Sequence, residues 1–571
     1  MLQKKVAVCN QEFENSIRRG DLYFDGDILE IDNHCFYFEH YLYEMEKTTE
    51  QYFHDFMVNK KEFVEKIKGE FCLVDYDILE NTLFVATDRL GKEAPWIYQK
   101  GETLILVNDF WRGIELIKPQ ESDIDWQTVK EIIIHGTAIG NSTVVKNYEF
   151  VPAASMGEVK LNESLEMNYK RYWKFKFQPD PSIQLEDAAD QIHKLFNETF
   201  ALMEKKFPKG TKFGVGLSGG WDSRLVVAYA KKHHLNIVPY CIGEKYSIFP
   251  LPTNGYYVVK KLAKYFRLNN FTFIPYNGES YIQKMADDVL LAPLKGAETS
   301  IGCRSCVPDF DIMLNGEMGG EFFGEFTSRF SELLNYNKEN IGEYLLKYLS
   351  FTQLEEMIFT PQEKEYVKKK IKNYVGQMDT DDRFDIVYRF WLEIYAARSK
   401  CGFFETVYGT KERYSPYLNP DFLDYFCTWD SKFLCDRVLQ RKFFMKYFPK
   451  LSRIPDESAY APLYWREMNV KNVPYQFLYG LRQFVFKSSL RRGVWLKRDR
   501  EFYELLKTVV KKNHKILKKH FPDLDVKKFL KENSRATEKL VKMLIEVDTI
   551  LNYHVTDRRA FINNKYGNEK E

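Results

Sequence analysis

The sequence has almost no net charge, no long apolar run and few cysteines. Its 83 Lys+Arg and 81 Asp+Glu leave a formal charge of +2, which excludes a nucleic-acid binder driven by bulk positive charge. No segment approaches the roughly 18 apolar residues of a membrane span, and the first residues are too polar for a signal peptide. We therefore expect a soluble, cytoplasmic protein that binds neither nucleic acid nor membrane.

The nine cysteines in 571 residues are odd in number and scattered, which does not indicate a disulfide framework. Only Cys303 and Cys306 have CxxC spacing. One such pair supplies half of a four-ligand zinc site, so we predict no metal there. The 44% hydrophobic and 16% aromatic residues exclude a disordered chain, and the length predicts more than one domain.

Local patterns divide the chain into a sheet-rich part and an α/β part. Residues 69–109 alternate apolar and polar residues in short runs broken by Asn, Gly and Asp, which predicts antiparallel strands and hairpins. Two prolines in 175–184 favour a linker. From Leu185 to Met203, apolar residues recur every three or four positions, which predicts an amphipathic helix.

The region after this helix predicts a parallel sheet. An apolar run at 212–217, a helical segment at 224–232 and a second apolar run at 236–242 give the order strand, helix, strand. Further strands are predicted at 270–275 and 310–314. Beyond about residue 325 the pattern is mostly helical, and we expect the Lys/Arg clusters of the last ninety residues to form a solvated face on packed helices.

The most informative stretch is FGVGLSGGWDSRLVVAYA, residues 213–230. Its glycines satisfy GxGxxG, but the dinucleotide interpretation needs an acidic residue about 20 positions further on, and the region around His233 and His234 has none. The same glycines have the spacing of a Walker loop, but Gly220 stands where that loop needs a lysine, which excludes it.

A third interpretation takes the SGGWDS segment as one unit. A strand ends, small residues let backbone N–H groups face an anion, and a helix begins directly afterwards. This predicts a pyrophosphate cradle at a helix N-terminus. An aspartate in an anion site would repel the phosphates, unless Mg²⁺ lies between its carboxylate and the phosphates. The alternative is a glycine-rich turn capped by Asp or Ser.

SGGWDS resembles the SGGxDS loop of the ATP pyrophosphatases and, with its surroundings, the asparagine synthetase group, which includes β-lactam synthetase and the lasso-peptide cyclases. GEFCLVDYD, ATDRLGKEAPW and LVNDF look like late strands of that family's glutaminase-type domain, and Tyr172-Trp173 lie where it often has a YW pair. LNGEMGGEFFGEF (314–326), ERYSPYLNPDFLDYF (412–426) and RVLQRKFFMKYFPK resemble its SGEGADELFGGY, RxPFLD and basic-helix segments.

The resemblance implies an α/β fold class. It implies an N-terminal Ntn-hydrolase-like αββα sandwich and a C-terminal PP-loop ATP pyrophosphatase α/β domain with a helical extension. The predicted boundaries are 1–174 for a degenerate glutaminase-type domain, 175–184 for the linker, 185–480 for the ATP pyrophosphatase domain and 481–571 for the extension.

The implied activity is that of an ATP-dependent, AMP-forming ligase. A substrate carboxylate attacks the α-phosphate, pyrophosphate leaves, and an amine attacks the acyl-adenylate. The resemblance implies ATP and Mg²⁺ as cofactors, with Asp222 and Glu321 on the metal and Glu317 assisting proton removal from the amine. The predicted nucleotide-binding residues are Leu217, Ser218, Gly219, Gly220, Asp222, Ser223 and Gly316.

The sequence departs from the family pattern in three places. Leu2 stands where the glutaminase has its nucleophilic cysteine, and the first cysteine is Cys9, which implies loss of glutamine hydrolysis. Gly320 replaces the second metal-binding Asp, so that Glu321 would substitute. The family's catalytic Lys corresponds to Pro455, and Arg453, Lys446 or Lys450 could supply the charge. Arg453 and Lys446 are the predicted catalytic cations.

The leading hypothesis is an amide-forming ligase that uses an amine other than glutamine-derived ammonia. The predicted partners are a small-molecule or peptide carboxylate and an amine, on one molecule or two, with a second copy of the chain or a pathway protein as a further partner. The alternative is a catalytically impaired, nucleotide-binding scaffold. A glutamine-dependent asparagine synthetase is the least favoured of the three.

Overall fold

The computed structural model describes residues 5–567 apart from 244, 249–250, 253, 276–280, 295–306, 325–329, 350–354, 397–411, 457–461, 464–472, 475–476, 478–495, 527 and 529–533. Cys303 and Cys306 therefore lie outside the described residues, as does the predicted boundary at 480/481.

The N-terminal part contains two six-stranded sheets, ordered β10-β8-β9-β1-β3-β2 and β12-β11-β7-β6-β5-β4, with antiparallel pairing throughout the described ladders. The strands are β1 (Val6–Cys9), β2 (Ile17–Arg19), β3 (Leu22–Gly26), β4 (Leu29–Ile31), β5 (His34–Leu42), β6 (Gly69–Asp77), β7 (Thr82–Thr87), β8 (Trp96–Lys100), β9 (Thr103–Val107), β10 (Tyr148–Phe150), β11 (Ser155–Lys160) and β12 (Asn168–Arg171).

Alternating side chains stack these sheets into layers. Along β6, Cys72 and Val74 point into the core between the two sheets, whereas Phe71 and Leu73 point into a second core under two helices, because strand side chains alternate between faces. The helices α1 (Thr49–Val58) and α2 (Lys60–Lys66) cover this sheet, and α3 (Phe110–Ile117) and α4 (Trp126–His135) cover the other. The layer order is helix, sheet, sheet, helix, as predicted.

The second part is built on a five-stranded parallel sheet with the order β17-β14-β13-β18-β19. Its strands, with a separate small hairpin, are β13 (Lys212–Gly216), β14 (Asn236–Gly243), β15 (Tyr246–Ile248), β16 (Leu251–Pro252), β17 (Thr272–Pro275), β18 (Ile312–Leu314) and β19 (Arg413–Tyr414). The predicted mixed α/β fold class is confirmed. The two-residue β19 was not predicted, because it is too short to show a period.

Helices make up most of the remaining described chain. They are α5 (Leu185–Lys206), α6 (Trp221–Lys232), α7 (Asn254–Phe266), α8 (Tyr281–Leu291), α9 (Gly319–Phe322), α10 (Phe330–Leu333), α11 (Ile341–Leu349), α12 (Glu355–Ile358), α13 (Pro361–Gly376), α14 (Arg383–Phe390), α15 (Pro420–Phe426), α16 (Val438–Tyr447), α17 (Leu496–Lys512), α18 (His514–His520), α19 (Ser534–Leu551) and α20 (Arg558–Tyr566). None of the helices in the described part is long and apolar enough to span a bilayer.

The two parts share one hydrophobic core that runs from Ala7 to Tyr566. The predicted linker between them is irregular, as expected, but it is fixed in place. The amides of Gln178 and Asp180 donate to the carbonyls of Cys427 and Thr428 at 2.8 and 2.9 Å. The predicted domain boundaries stay predictions, and the parts meet over a continuous packed interface.

The helix α19, near the C-terminus, does not present only the solvated charged face that the sequence predicts. Lys542 and Glu546 are fully buried in it and form an ion pair at 2.8 Å. The Lys542 ammonium also donates to the Ala292 carbonyl at 2.9 Å, and the Leu294 amide donates to Glu546 at 2.9 Å. Charged residues on α19 therefore hold the segment after α8, because buried charges must be paired.

Candidate functional site at the end of β13

The predicted nucleotide loop lies where the order of the parallel sheet reverses. β13 lies between β14, the next strand in the chain, and β18, which follows a long excursion. Loops after β13 and β18 therefore diverge at their carboxyl ends, and this crevice is where open α/β sheets bind ligands. Residues 217–220 leave β13 and lead into α6, while Asn315, Gly316 and Glu317 leave β18.

Hydrogen bonds within the loop set its shape. Leu217 is buried, and its amide donates to the Tyr240 carbonyl at 2.8 Å. The Ser218 hydroxyl accepts from the Gly220 amide at 3.3 Å and lies 3.3 Å from the Ser223 hydroxyl. Gly219 has a φ of +87°, a conformation that favours glycine. The two hydroxyls and the backbone amides thus converge on one short turn.

The start of α6 offers N–H groups to an anion. Gly220 occupies the N-cap position, and glycine has no side chain with which to cap the first-turn amides. Anions are stabilised at a helix N-terminus by these N–H groups and by the helix dipole. The start of α6 thus has the first-turn N–H groups that the predicted pyrophosphate cradle requires; phosphate binding by SGGWDS stays a prediction.

The loop after β18 packs directly against Asp222. A Cβ added to Gly316 would lie 2.9 Å from the Asp222 carbonyl carbon, and one added to Gly319 would lie 2.7 Å from Asp222 Cγ. Side chains at these positions would displace the aspartate, so the glycines preserve the space around it. The Gln440 amide from α16 lies within 3.4 Å of Asp222 Oδ1. The structure therefore brings Gly316 together with the nucleotide loop.

The two predicted metal-binding carboxylates lie on adjacent elements. Asp222 is in the first turn of α6, and Glu321 is buried in α9, which begins at Gly319 beside Asp222. Across the described part of the chain, no three His, Cys, Asp or Glu side chains lie close enough to hold a metal ion. Two carboxylates suit Mg²⁺, which takes its other ligands from phosphates and water.

Glu317 is buried with only 1% of its side chain exposed, and its carboxylate forms an ion pair with Lys92 of the N-terminal sandwich. Its amide donates to the side chain of Asn315 at 3.0 Å. The structure places Glu317 in the same β18 loop as Gly316, beside the nucleotide loop. Its ion pair with the other part of the chain was not predicted.

The two cations predicted as catalytic, Lys446 and Arg453, lie on different elements of the structure. Lys446 lies on α16, and its ammonium pairs with Asp190 of α5 near the surface. Arg453 is exposed in a short turn at Leu451–Arg453. The residues that follow it are near the nucleotide loop, because Arg224 binds the carbonyls of Ile454 and Pro455. The catalytic roles of Lys446 and Arg453 stay predictions.

Arg224 is a fully buried cation beside the loop that was not predicted from the sequence. Its guanidinium donates to the Gly219 carbonyl at 2.8 Å and to the Ile454 carbonyl at 2.7 Å, and it lies 4.1 Å from the centre of the Trp221 ring. Because the hydrogen bond points the Gly219 carbonyl toward Arg224, the opposite side of the loop presents backbone N–H groups. No sequence motif indicates the role of Arg224, because an arginine directly after SGGWDS is typical of any helix.

His193 on α5 gives a prediction about pH. Its ring stacks on Tyr447 at 3.8 Å and lies 2.5 Å from the Tyr229 hydroxyl; burial lowers its pKa to about 4. Between pH 6.5 and 4 the unfolded chain takes up the proton and the folded chain does not, so stability falls as pH falls. Because the ring is only partly buried and solvent screening weakens the effect, moving from pH 7.5 to 5 should cost the wild type about 1 kcal/mol more than His193→Gln.

Urea unfolding of both proteins at the two pH values measures this difference. The comparison cancels the carboxylates that the two proteins share. An equal loss of stability in wild type and His193→Gln would show that His193 is protonated as readily in the folded chain as in the unfolded one.

Known proteins resemble this chain over part of its length. The chain is similar to an asparagine synthetase. The glutamine-hydrolysing asparagine synthetase 3 of Bacillus subtilis (strain 168) is 24% identical over 332 residues, which cover 54% of this chain and 51% of the relative. The chain thus spans about half the length of the curated relative that it matches. No family model matches it.

Two solved structures also align with part of the chain. One is the glutamine phosphoribosylpyrophosphate amidotransferase of B. subtilis with ADP and GMP, at 8% identity over 48% of this chain and 85% of that chain, with a TM-score of 0.22. The other is described as the allosteric regulatory enzyme of purine biosynthesis, at 9% identity over 48% and 75%, with a TM-score of 0.21.

Proposed function

We propose that the protein is an ATP-dependent, AMP-forming ligase that activates a carboxylate and joins it to an amine. The observation that carries this is the loop at residues 217–223, which opens a helix at the switch point of a parallel sheet, with Asp222 facing the glycines of the β18 loop. The similarity to an asparagine synthetase supports the reaction class. ATP would bind with its phosphates on this loop.

Asp222 and Glu321 are the residues that would hold Mg²⁺. When bound, the ion would offset the negative charge that grows on the departing pyrophosphate. Ser218 and Ser223 would donate hydroxyl hydrogens to the same phosphates, and the first-turn amides of α6 would orient them before reaction. Glu317 would accept the proton that the amine loses on attack.

We infer that the amine does not come from glutamine. Cys9, the first cysteine in the sequence, lies within β1 and is 5% exposed, and burial raises its pKa. A buried thiol with a raised pKa is a poor nucleophile, because the thiolate is the reactive form. The burial of this thiol supports the proposal of a sandwich without glutaminase activity.

The proposed substrates are a small-molecule or peptide carboxylate and an amine, on one molecule or on two. A second copy of the chain or a pathway protein is a further proposed partner. A pocket that selects one substrate is built from side chains that form no sequence motif, so the substrates are named by chemical class.

An isotope assay tests the proposal. Incubating the protein with [α-³²P]ATP, Mg²⁺ and a panel of carboxylates should yield labelled AMP, and pyrophosphate exchange into ATP should depend on one of them. Glutamine hydrolysis should be absent from the same sample. ATP binding without exchange for any carboxylate would favour the nucleotide-binding scaffold instead, and glutamine hydrolysis would overturn the inference from the buried Cys9.

A further inference from the structure

A buried ion pair joins the N-terminal sandwich to the β18 loop. The Lys92 ammonium contacts Glu317 Oε1, and the two side chains are 0% and 1% exposed. Removing both charges from water is costly, and such a pair persists only where geometry and further hydrogen bonds hold it. Lys92 follows β7, so the cation beside this carboxylate comes from the other part of the chain.

The turn that presents Lys92 is held by Asp88. The buried Asp88 carboxylate accepts the amides of Leu90 at 2.9 Å and Glu93 at 3.0 Å. The Asp88 carbonyl also accepts the amide of Ala154 at 2.8 Å. These bonds fix the backbone on both sides of Lys92. The fold of the sandwich therefore sets where the Lys92 side chain begins and limits the positions that its ammonium can reach.

The backbone of Glu317 is also linked to the sandwich, through Ser415 of the second part of the chain. The Ser415 hydroxyl donates to the Glu317 carbonyl at 3.0 Å. The Tyr43 hydroxyl, from the segment after β5, donates to the Ser415 carbonyl at 2.6 Å and accepts the Ser415 amide at 3.0 Å. Burial raises the pKa of Tyr43 well above its ordinary value, so the phenol keeps its proton. Glu317 is thus fixed through both its carboxylate and its backbone.

A buried cluster of one arginine and two glutamates lies beside this ion pair. Arg413 of β19 binds Glu93 at 2.6 Å and Glu70 at 3.3 Å, and Glu70 is 5% exposed. Burial raises the pKa of Glu70, while the charges of Arg413 and Lys92 oppose this shift. The alternation of cations and carboxylates across the interface leaves little freedom for the Lys92 ammonium to move.

We propose that Lys92 is a positioning residue of the ligase site that acts through Glu317, and that this ion pair is the contribution of the N-terminal sandwich to amide formation. The inference rests on the proposed function. With Oε1 held by Lys92, Oε2 accepts the amine proton as the amine nitrogen bonds to the acyl carbon and AMP leaves with the electron pair of the broken C–O bond. Lys92 therefore matters for the second half-reaction, not for adenylation.

The first test needs no substrate. Hydrogen–deuterium exchange of peptides covering residues 312–324 is compared in wild type, Lys92→Met and Lys130→Met. Lys130 is a matched control, because it is 3% exposed and pairs across the same two parts with Glu363 at 2.7 Å, through α4 and α13. We expect about tenfold faster exchange of this loop in Lys92→Met and wild-type exchange in Lys130→Met. Unchanged exchange in Lys92→Met overturns the inference.

The second test separates the half-reactions. Pyrophosphate exchange reports adenylation of the active carboxylate, and amide formation with ammonia as the probe amine reports acyl transfer. Lys92→Met should keep exchange within about threefold of wild type and slow amide formation about 100-fold, the usual cost of a displaced catalytic group. Combining Lys92→Met with Glu317→Gln should be no slower than Glu317→Gln alone, because Lys92 acts through that carboxylate.

The outcomes are distinguishable. A parallel fall of exchange and amide formation in Lys92→Met would mean that the pair only supports the fold, and it would overturn the inference while leaving the proposed function intact. A wild type that shows no exchange would overturn the proposed function, and the deuterium measurement would still decide whether Lys92 fixes the Glu317 loop.

Discussion

Asp222→Asn should lower AMP formation about 10³-fold, which corresponds to about 4 kcal/mol of lost transition-state stabilisation. Asparagine keeps the volume that Gly316 and Gly319 leave for this side chain, and its Oδ1 still accepts from Gln440. The variant therefore loses the negative charge but little packing. Without that charge, the Mg²⁺ that Asp222 would hold under the proposed function would bind far more weakly. The measurement is labelled AMP released from [α-³²P]ATP.

Asp55→Asn is the matched control for this variant. Asp55 makes a surface ion pair with Lys47 at 2.7 Å, so the same chemical change there removes a charge far from the loop and should leave the rate unchanged. Thermal unfolding of both variants should coincide with wild type. An Asp222→Asn rate within threefold of wild type would refute the assignment of Asp222 to the metal.

The local structure of the predicted nucleotide loop could be predicted, because it depends on residues that are close together in the sequence. A strand, two small residues and a helix start lie within Lys212–Lys232, and the structure has β13 and α6 at these positions. Gly316 could be predicted from the family resemblance alone, because only the fold brings the β18 loop against Asp222. The parallel strands showed as apolar runs, since both of their faces are covered.

Lys92 and Arg224 could not be predicted, because their roles depend on burial by distant segments. Lys92 lies in a stretch recognised as part of the sandwich, but its partner Glu317 is 225 residues away in sequence. Arg224 binds carbonyls 230 and 231 residues further along. A long basic side chain is usually exposed, so local patterns favour the solvated interpretation. The same reason explains the unexpected burial of Lys542 in α19.

Arg224→Met should lower the free energy of unfolding by about 4 kcal/mol and weaken ATP binding at least about tenfold. The guanidinium is fully buried and donates hydrogen bonds to the carbonyls of Gly219, Ile454 and Pro455. Methionine fills much of the same volume, but it leaves these carbonyls without their charged donor, and each such hydrogen bond contributes about 1.5–3 kcal/mol. Freeing the Gly219 carbonyl also lets the loop turn its amides away from the phosphates.

Urea unfolding and ATP titration of the same preparation measure the two effects, with Arg383→Met as the matched control. Arg383 donates to a single carbonyl, that of Leu334, at 2.7 Å near the surface, so its loss should cost less than about 1 kcal/mol and leave ATP affinity unchanged. If Arg224→Met is destabilised but binds ATP as tightly as wild type, Arg224 supports only the packing of α6. In that case the inward Gly219 carbonyl is not what orients the loop amides, and their preorganisation must come from the Ser218 and Ser223 hydroxyls.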